Sequence, residues 1–121
     1  MTSAELATIE FESLPRAIVV RIRGEVDMSN AELLYDELSS RIGDAPWMVV
    51  DLSGCDYLDS VGLGVIARIH ARCRARGTQM RVVVPESAAT VDRVLAITGM
   101  DGLLHVDRSL DDALVLAAAG D

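Results

Sequence analysis

The sequence predicts an α/β domain: a mixed, mostly parallel sheet of four to five strands carrying about four helices. Three observations lead there. Stretches in which apolar residues alternate or run together are interleaved with stretches in which they recur every three or four residues. Glycines and small polar residues stand where each periodic stretch begins or ends. The first two strand-like stretches are joined by a short turn, so one antiparallel hairpin precedes an otherwise alternating chain. The resulting order is β-β-α-β-α-β-α-β-α, and such alternation argues for a largely parallel sheet.

The elements follow in turn. L-A-T-I-E-F-E, from Leu6 to Glu12, places Ile9 and Phe11 on one face. Beyond Pro15, A-I-V-V-R-I-R-G sets Ile18, Val20 and Ile22 against Val19, Arg21 and Arg23. Ser29 and Asn30 are N-cap candidates for a helix whose stripe is Leu34, Leu38 and Ile42, closed by Gly43. After Pro46, W-M-V-V-D-L is a continuous apolar run, as in a strand covered on both faces. A second helix is predicted from Val61 to Arg76, with Val65, Ile66, Ile69 and Cys73 inward and Arg68, Arg72 and Arg76 outward. Q-M-R-V-V-V-P is a further strand. Ser87 caps a third helix through Val91, Val94, Leu95 and Thr98, ended by Gly99. L-L-H-V is a short strand. Ser109 caps the last helix, with Asp112 in a box-like position and Leu110, Ala113, Leu114 and Ala117 as its apolar side. With no repeat or linker, residues 1–121 form one domain with its core over about 6–118.

Composition narrows the function. Half of the 121 residues are hydrophobic but only 3% are aromatic, so the core is aliphatic. The formal charge of −8 disfavours nucleic acid, whose affinity comes largely from cations on phosphates, and disfavours an anionic membrane. A partner with a basic face is attracted. All 11 basic residues are arginine. Cys55 and Cys73 lack C-x-x-C spacing, which fits a reduced, cytoplasmic chain. The N-terminus has no basic region or long apolar run of a signal peptide, and no stretch is long enough to span a bilayer. Two isolated histidines and scattered carboxylates give no metal-ligand spacing, and no cofactor is expected.

Two segments fall at predicted strand ends, where open α/β sheets meet ligands and partners: G-E-V-D-M-S-N (Gly24 to Asn30) and V-V-D-L-S-G-C-D-Y-L-D-S-V-G-L-G (Val49 to Gly64). In the second, Ser60 is either a helix cap, worth about 1 kcal/mol, or a chemically used hydroxyl. Asp59 could share the capping. Four enzymatic patterns fail. The hydrolase G-x-S-x-G lacks its first glycine in L-D-S-V-G, and His70 and His105 are expected as ordinary helix-surface and strand-end residues. A P-loop needs lysine. A phosphate receiver could use Asp51 but also resembles a pattern containing lysine. Gly62-Leu63-Gly64-Val65-Ile66-Ala67 fits the dinucleotide fingerprint, with Glu86 following. However, nine residues, Ser53 to Val61, are expected between strand and first glycine, where the fingerprint demands a tight turn.

The run D-L-S-G-C-D-Y-L-D-S-V-G-L-G resembles the signature of the STAS domain, and within it that of bacterial anti-sigma factor antagonists. R-G-E-V-D is similar to the family's G-E-[L/I/V]-D. I-T-G-M-D-G-L-L-H-V-D-R-S-L-D-D-A-L is similar to its closing segment, so the likeness extends over roughly Ile9 to Leu116. The resemblance implies a small α/β domain without enzymatic activity. It implies that Ser60 is a phosphoacceptor for an anti-sigma factor that is itself a serine kinase. The unphosphorylated form would bind that kinase and release the sigma factor; the phosphorylated form would let go, and a serine phosphatase would reset it. Asp27, Met28, Ser29, Asn30, Asp59, Ser60, Val61, Gly62 and Gly64 are the expected partner-binding residues. Val61 stands where the family often has Ser or Ala, leaving Ser60 as the single hydroxyl of the D-S-V-G-L-G element. Two alternatives remain: a STAS subunit of a transport or sensory complex with an unmodified Ser60, and a nucleotide-binding or hydrolytic enzyme using the G-L-G turn.

Overall fold

Two parallel strands organise the molecule. Strand β3 (Ala17–Val26) and strand β4 (Trp47–Leu58) run side by side with Val19 opposite Val49 and Val26 opposite Leu58. Their β-branched residues are buried on both faces, as the apolar run predicts. The computed structural model describes residues 2–3 and 6–119. Its other elements are β1 (Thr2–Ser3), β2 (Ala7–Ser13), α1 (Ala31–Ser39), α2 (Ser60–Ala75), β5 (Gln79–Val83), α3 (Ala89–Thr98), a 3-10 turn (Met100–Gly102), β6 (Val106–Asp107) and α4 (Leu110–Ala119). The sheet order is β1-β2-β3-β4-β5-β6; the first two pairings are antiparallel and the other three parallel. The predicted fold class and order hold, with the two-residue β1 added in front.

The pleat sorts the core into two layers. Ile18, Val20 and Ile22 face Leu34 and Leu38 of α1, Ile66 and Ile69 of α2, and Val91 and Leu95 of α3. Ala17 and Val19 of β3, with Trp47 and Val49 of β4, face Ala113 and Ala117 of α4. Three helices therefore cover one face and α4 part of the other. Beyond α4, that face is charged: Arg21 pairs with Glu12 at 2.7 Å and Arg23 with Glu10 at 3.1 Å, across β2 and β3. The short β6 is held by more than its ladder. Arg81 of β5 grips Asp107 through Nε at 2.6 Å and Nη2 at 3.0 Å, a bidentate pair in a largely buried setting.

Several boundaries differ from expectation. β4 continues six residues past Leu52, to Leu58, with register shifts against β3. Only Cys55 and Leu58 are buried in that extension, so its period-two pattern is broken and the sequence reads as loop. α1 ends at Ser39, though Ile42 stays buried in the turns that follow. Asn30 occupies the N-cap position of α1 without making a cap bond. Ala88, not Ser87, is at the N-cap of α3. Of L-L-H-V only Val106 is in a strand. Ser109 does cap α4, its Oγ accepting from the Asp112 amide at 3.1 Å.

Candidate partner-docking site at the start of α2

Because Val26 and Leu58 are paired, β3 and β4 end together and their exit loops share one corner. The Asp59 amide donates to the Val26 carbonyl at 3.3 Å, tying the two exits. Asp59 is extended (φ −90°, ψ −177°), and its carboxylate accepts from the Gly62 amide at 2.8 Å. Asp59 is thus the N-cap of α2, and the cap reading of Ser60 is corrected. Ser60 is the first helical residue, is exposed, and has no hydrogen-bond partner for its hydroxyl among the described residues. With the cap supplied by its neighbour, this hydroxyl has no structural task.

The Gly24–Asn30 segment, expected as a loop, is the end of β3 through Val26 and then a turn over 27–30 that reaches the same corner. Gly24 (φ +96°) passes so close to the chain entering β2 that a Cβ would collide with the Leu6 carbonyl oxygen. Asp27 Oδ1 accepts from the Ser29 hydroxyl at 2.6 Å and the Ser29 amide at 2.8 Å. These bonds hold the Asp27 carboxyl below its ordinary value, so it stays charged. Asn30 is buried: its Oδ1 accepts from the Asp27 amide at 3.0 Å and its Nδ2 donates to the Glu25 carbonyl at 2.9 Å. It pins the loop instead of facing a partner. Met28, 78% exposed, and Val61, 46% exposed, are the apolar members of this corner.

The two glycines separate. A Cβ on Gly62 would meet Leu58 Cδ1 at 2.7 Å and Val26 Cγ1 at 2.8 Å, so Gly62 permits close packing of helix on strand ends. A Cβ on Gly64 would meet nothing within 4 Å. Gly64 therefore leaves bare helix backbone open to approach. Of the nine predicted residues, the structure gathers Asp27, Met28, Ser29, Asp59, Ser60, Val61 and Gly64 toward the corner and buries Asn30 and Gly62 beneath it. Sequence reasoning missed a neighbouring clasp. Arg68, two turns beyond Ser60, donates to Glu32 of α1 at 3.1 Å and stacks on Tyr35 with its guanidinium carbon 3.9 Å from the ring centroid. The arginine spacing on α2 was visible, but a pairing across 36 residues carries no local signal.

The enzymatic patterns find no geometry. His70 is ten residues from Ser60, about 15 Å along the helix. It is buried, not on the helix surface, because α2 turns that face inward; its ring centroid is 6.3 Å from that of His105. Burial, helped by His105 and Arg74, pushes its pKa down. Asp51 is buried and accepts from the hydroxyl and amide of Ser53. The nine-residue gap invoked against the dinucleotide fingerprint does not exist, since only Asp59 separates β4 from α2. The fingerprint fails for another reason: both glycines lie inside α2, not in the turn before it. Burial raises both cysteine thiols to about 11, which leaves them poor nucleophiles. Among the described residues no three His, Cys, Asp or Glu side chains cluster to hold a metal, and no helix is long and apolar enough to cross a membrane.

A hydroxyl that caps nothing therefore stands at the tip of α2, beside the β3–α1 turn, in a sheet of this order. The chain belongs to the STAS domain family, whose model matches residues 8–113. It is similar to anti-sigma-F factor antagonist RsfA of Mycobacterium tuberculosis, 30% identical, with 94% of this chain and 88% of that one aligned. Its fold matches the crystal structure of an anti-sigma factor antagonist from Mycobacterium paratuberculosis at a TM-score of 0.86, 28% identity, and coverage of 98% and 99%. It also matches the phosphorylated form of the Bacillus cell fate determinant SpoIIAA at a TM-score of 0.67, 18% identity, and coverage of 88% and 96%, a likeness of fold alone.

Proposed function

We propose that this protein is an anti-sigma factor antagonist, not an enzyme, that works in the cytoplasm and is switched by phosphorylation of Ser60. Its unphosphorylated form binds an anti-sigma factor that is a serine kinase and displaces the sigma factor. Phosphorylation by that kinase ends binding, and a serine phosphatase restores it. The observation that carries the reading is the exposed Ser60 hydroxyl, left without a partner because Asp59 takes the cap. The similarity to RsfA supports the partner class.

The physics of the switch is local. A phosphate adds a charge of about −1.5 to −2 at neutral pH. At the first position of α2 it lies near amides and a helix dipole that tolerate anions, so the fold survives. Outward, it joins the carboxylates of Asp59 and Asp27. A partner packed on this corner would have to bury that charge, and a loss of about 3 kcal/mol is more than a hundredfold in affinity. Met28 and Val61 supply apolar contact, and Gly64 allows close approach.

The test is incubation with purified anti-sigma kinases and ATP, followed by site mapping. Modification is expected on Ser60 and absent from Ser60→Ala, and Ser60→Asp is expected to bind the kinase at least tenfold more weakly. Modification elsewhere, or capture of a transport ATPase in place of a kinase, replaces this reading with that of a STAS subunit.

A further inference from the structure

Arg68 is not explained by the needs of its own helix. Cations in the last turn of a helix complement its dipole, and Arg72 and Arg74 do so in α2. Arg68 is a turn earlier, half exposed, in a chain of net charge −8. It continues the row of exposed Ser60 and half-buried Gly64 at four-residue intervals. Its guanidinium is held from two sides, by Glu32 at 3.1 Å and by the Tyr35 ring at 3.9 Å. The Glu32 bond uses Nη1, one end of a five-donor fork.

We propose that Arg68 is a second recognition point of the docking site and receives an acidic side chain of the partner kinase; this rests on the function proposed above. Size supports it. A standard interface covers about 800 Å² per partner, a disc of radius about 16 Å. Arg68 lies eight residues from Ser60, about 12 Å along the helix. A partner centred on Ser60 therefore covers Arg68. Glu32, itself mostly exposed, engages only Nη1, so a partner covering Arg68 meets the remaining N–H donors of the fork, and an acidic side chain satisfies them. Charge order supports it too. The tip carries Asp27 and Asp59, and the row then turns positive, so the surface reads negative then positive from the switch outward. The clasp holds the guanidinium in place before binding, which reduces the entropy lost on pairing.

The experiment titrates the kinase that modifies Ser60 against wild type, Arg68→Glu, Arg68→Lys and Arg68→Ala, with thermal melts as fold controls. Arg68→Glu is expected to raise Kd at least tenfold, Arg68→Lys less, and Arg68→Ala to flatten the salt dependence of Kd. Arg68→Glu binding within twofold of wild type overturns the inference while leaving Ser60 modification intact. If no kinase modifies Ser60, the proposed function fails first and this inference with it. Retention of wild type, but not Arg68→Glu, on heparin at physiological salt would also overturn it, in favour of a polyanion.

Discussion

At the scale of single residues, the corner works by division of labour between neighbours. Asp59 caps so that Ser60 need not; Asn30 pins the loop so that Met28 and Ser29 can stay exposed. The two glycines give the sharpest test. Gly62→Ala puts a methyl within 2.8 Å of both Leu58 and Val26, and overpacking of this kind costs about 1–3 kcal/mol. Gly64→Ala meets open space and gains helix propensity, so stability is expected to rise by up to about 1 kcal/mol. Denaturant melts should separate the pair in opposite directions. Partner binding should fall for Gly64→Ala despite its better fold, because the methyl occupies the approach to bare backbone. Equal destabilisation of both variants would show that Gly64 is also a packing residue.

At the scale of elements, α2 joins an exposed tip, Ser60 and Val61, to a buried foot. His70 lies at the foot, near His105, with its pKa pushed down by burial and by the charges of His105 and Arg74. In the unfolded chain a histidine takes up its proton near pH 6.5; in the fold His70 resists until lower pH. The unfolded state therefore binds more protons in this window, and stability falls as pH drops below about 6.5. Thermal melts between pH 7.5 and 5 should show that fall, and His70→Gln should flatten it; identical slopes would mean that the imidazole is solvated. The same helix shows what could be read in the sequence. Its amphipathic stripe, the arginine row and the D-S-V-G-L-G start are local patterns, and they locate the helix. The burial of His70 was not legible, since it depends on how far the sheet and neighbouring turns extend over the stripe. Nor was the second half of β4, whose register shifts erase the alternation that marks a strand. The cap of α2 had two adjacent candidates of equal propensity, and only the reach of Asp59 to the Gly62 amide decides between them. Asn30 reads in the sequence both as a cap candidate and as a partner contact; its burial goes with hydrogen bonds to Asp27 and Glu25, which no local pattern announces.

At the scale of the whole molecule, the proposed switch requires that modification change a surface and nothing else. The chain already carries −8, and phosphate on Ser60 would add about −1.5 to −2 more. Two local effects oppose each other. The helix dipole favours an anion at the first turn by about 0.3–1 kcal/mol, and repulsion from the partly exposed Asp59 acts against it at a similar scale. Ser60 is exposed, and the core under the corner is closed by Val26, Leu58 and Leu63. The net change in stability is therefore below about 1 kcal/mol, which for a domain of this size is a few degrees in Tm. Calorimetry of the wild type, Ser60→Asp and the enzymatically phosphorylated protein should give melting points within about 4 °C of one another, while kinase binding differs by an order of magnitude or more. A phosphorylated form that melts far lower would mean that the charge acts by loosening α2 from β3 and β4. Release would then be a refolding event, and the Gly62 packing contact, not the exposed corner, would be the switch.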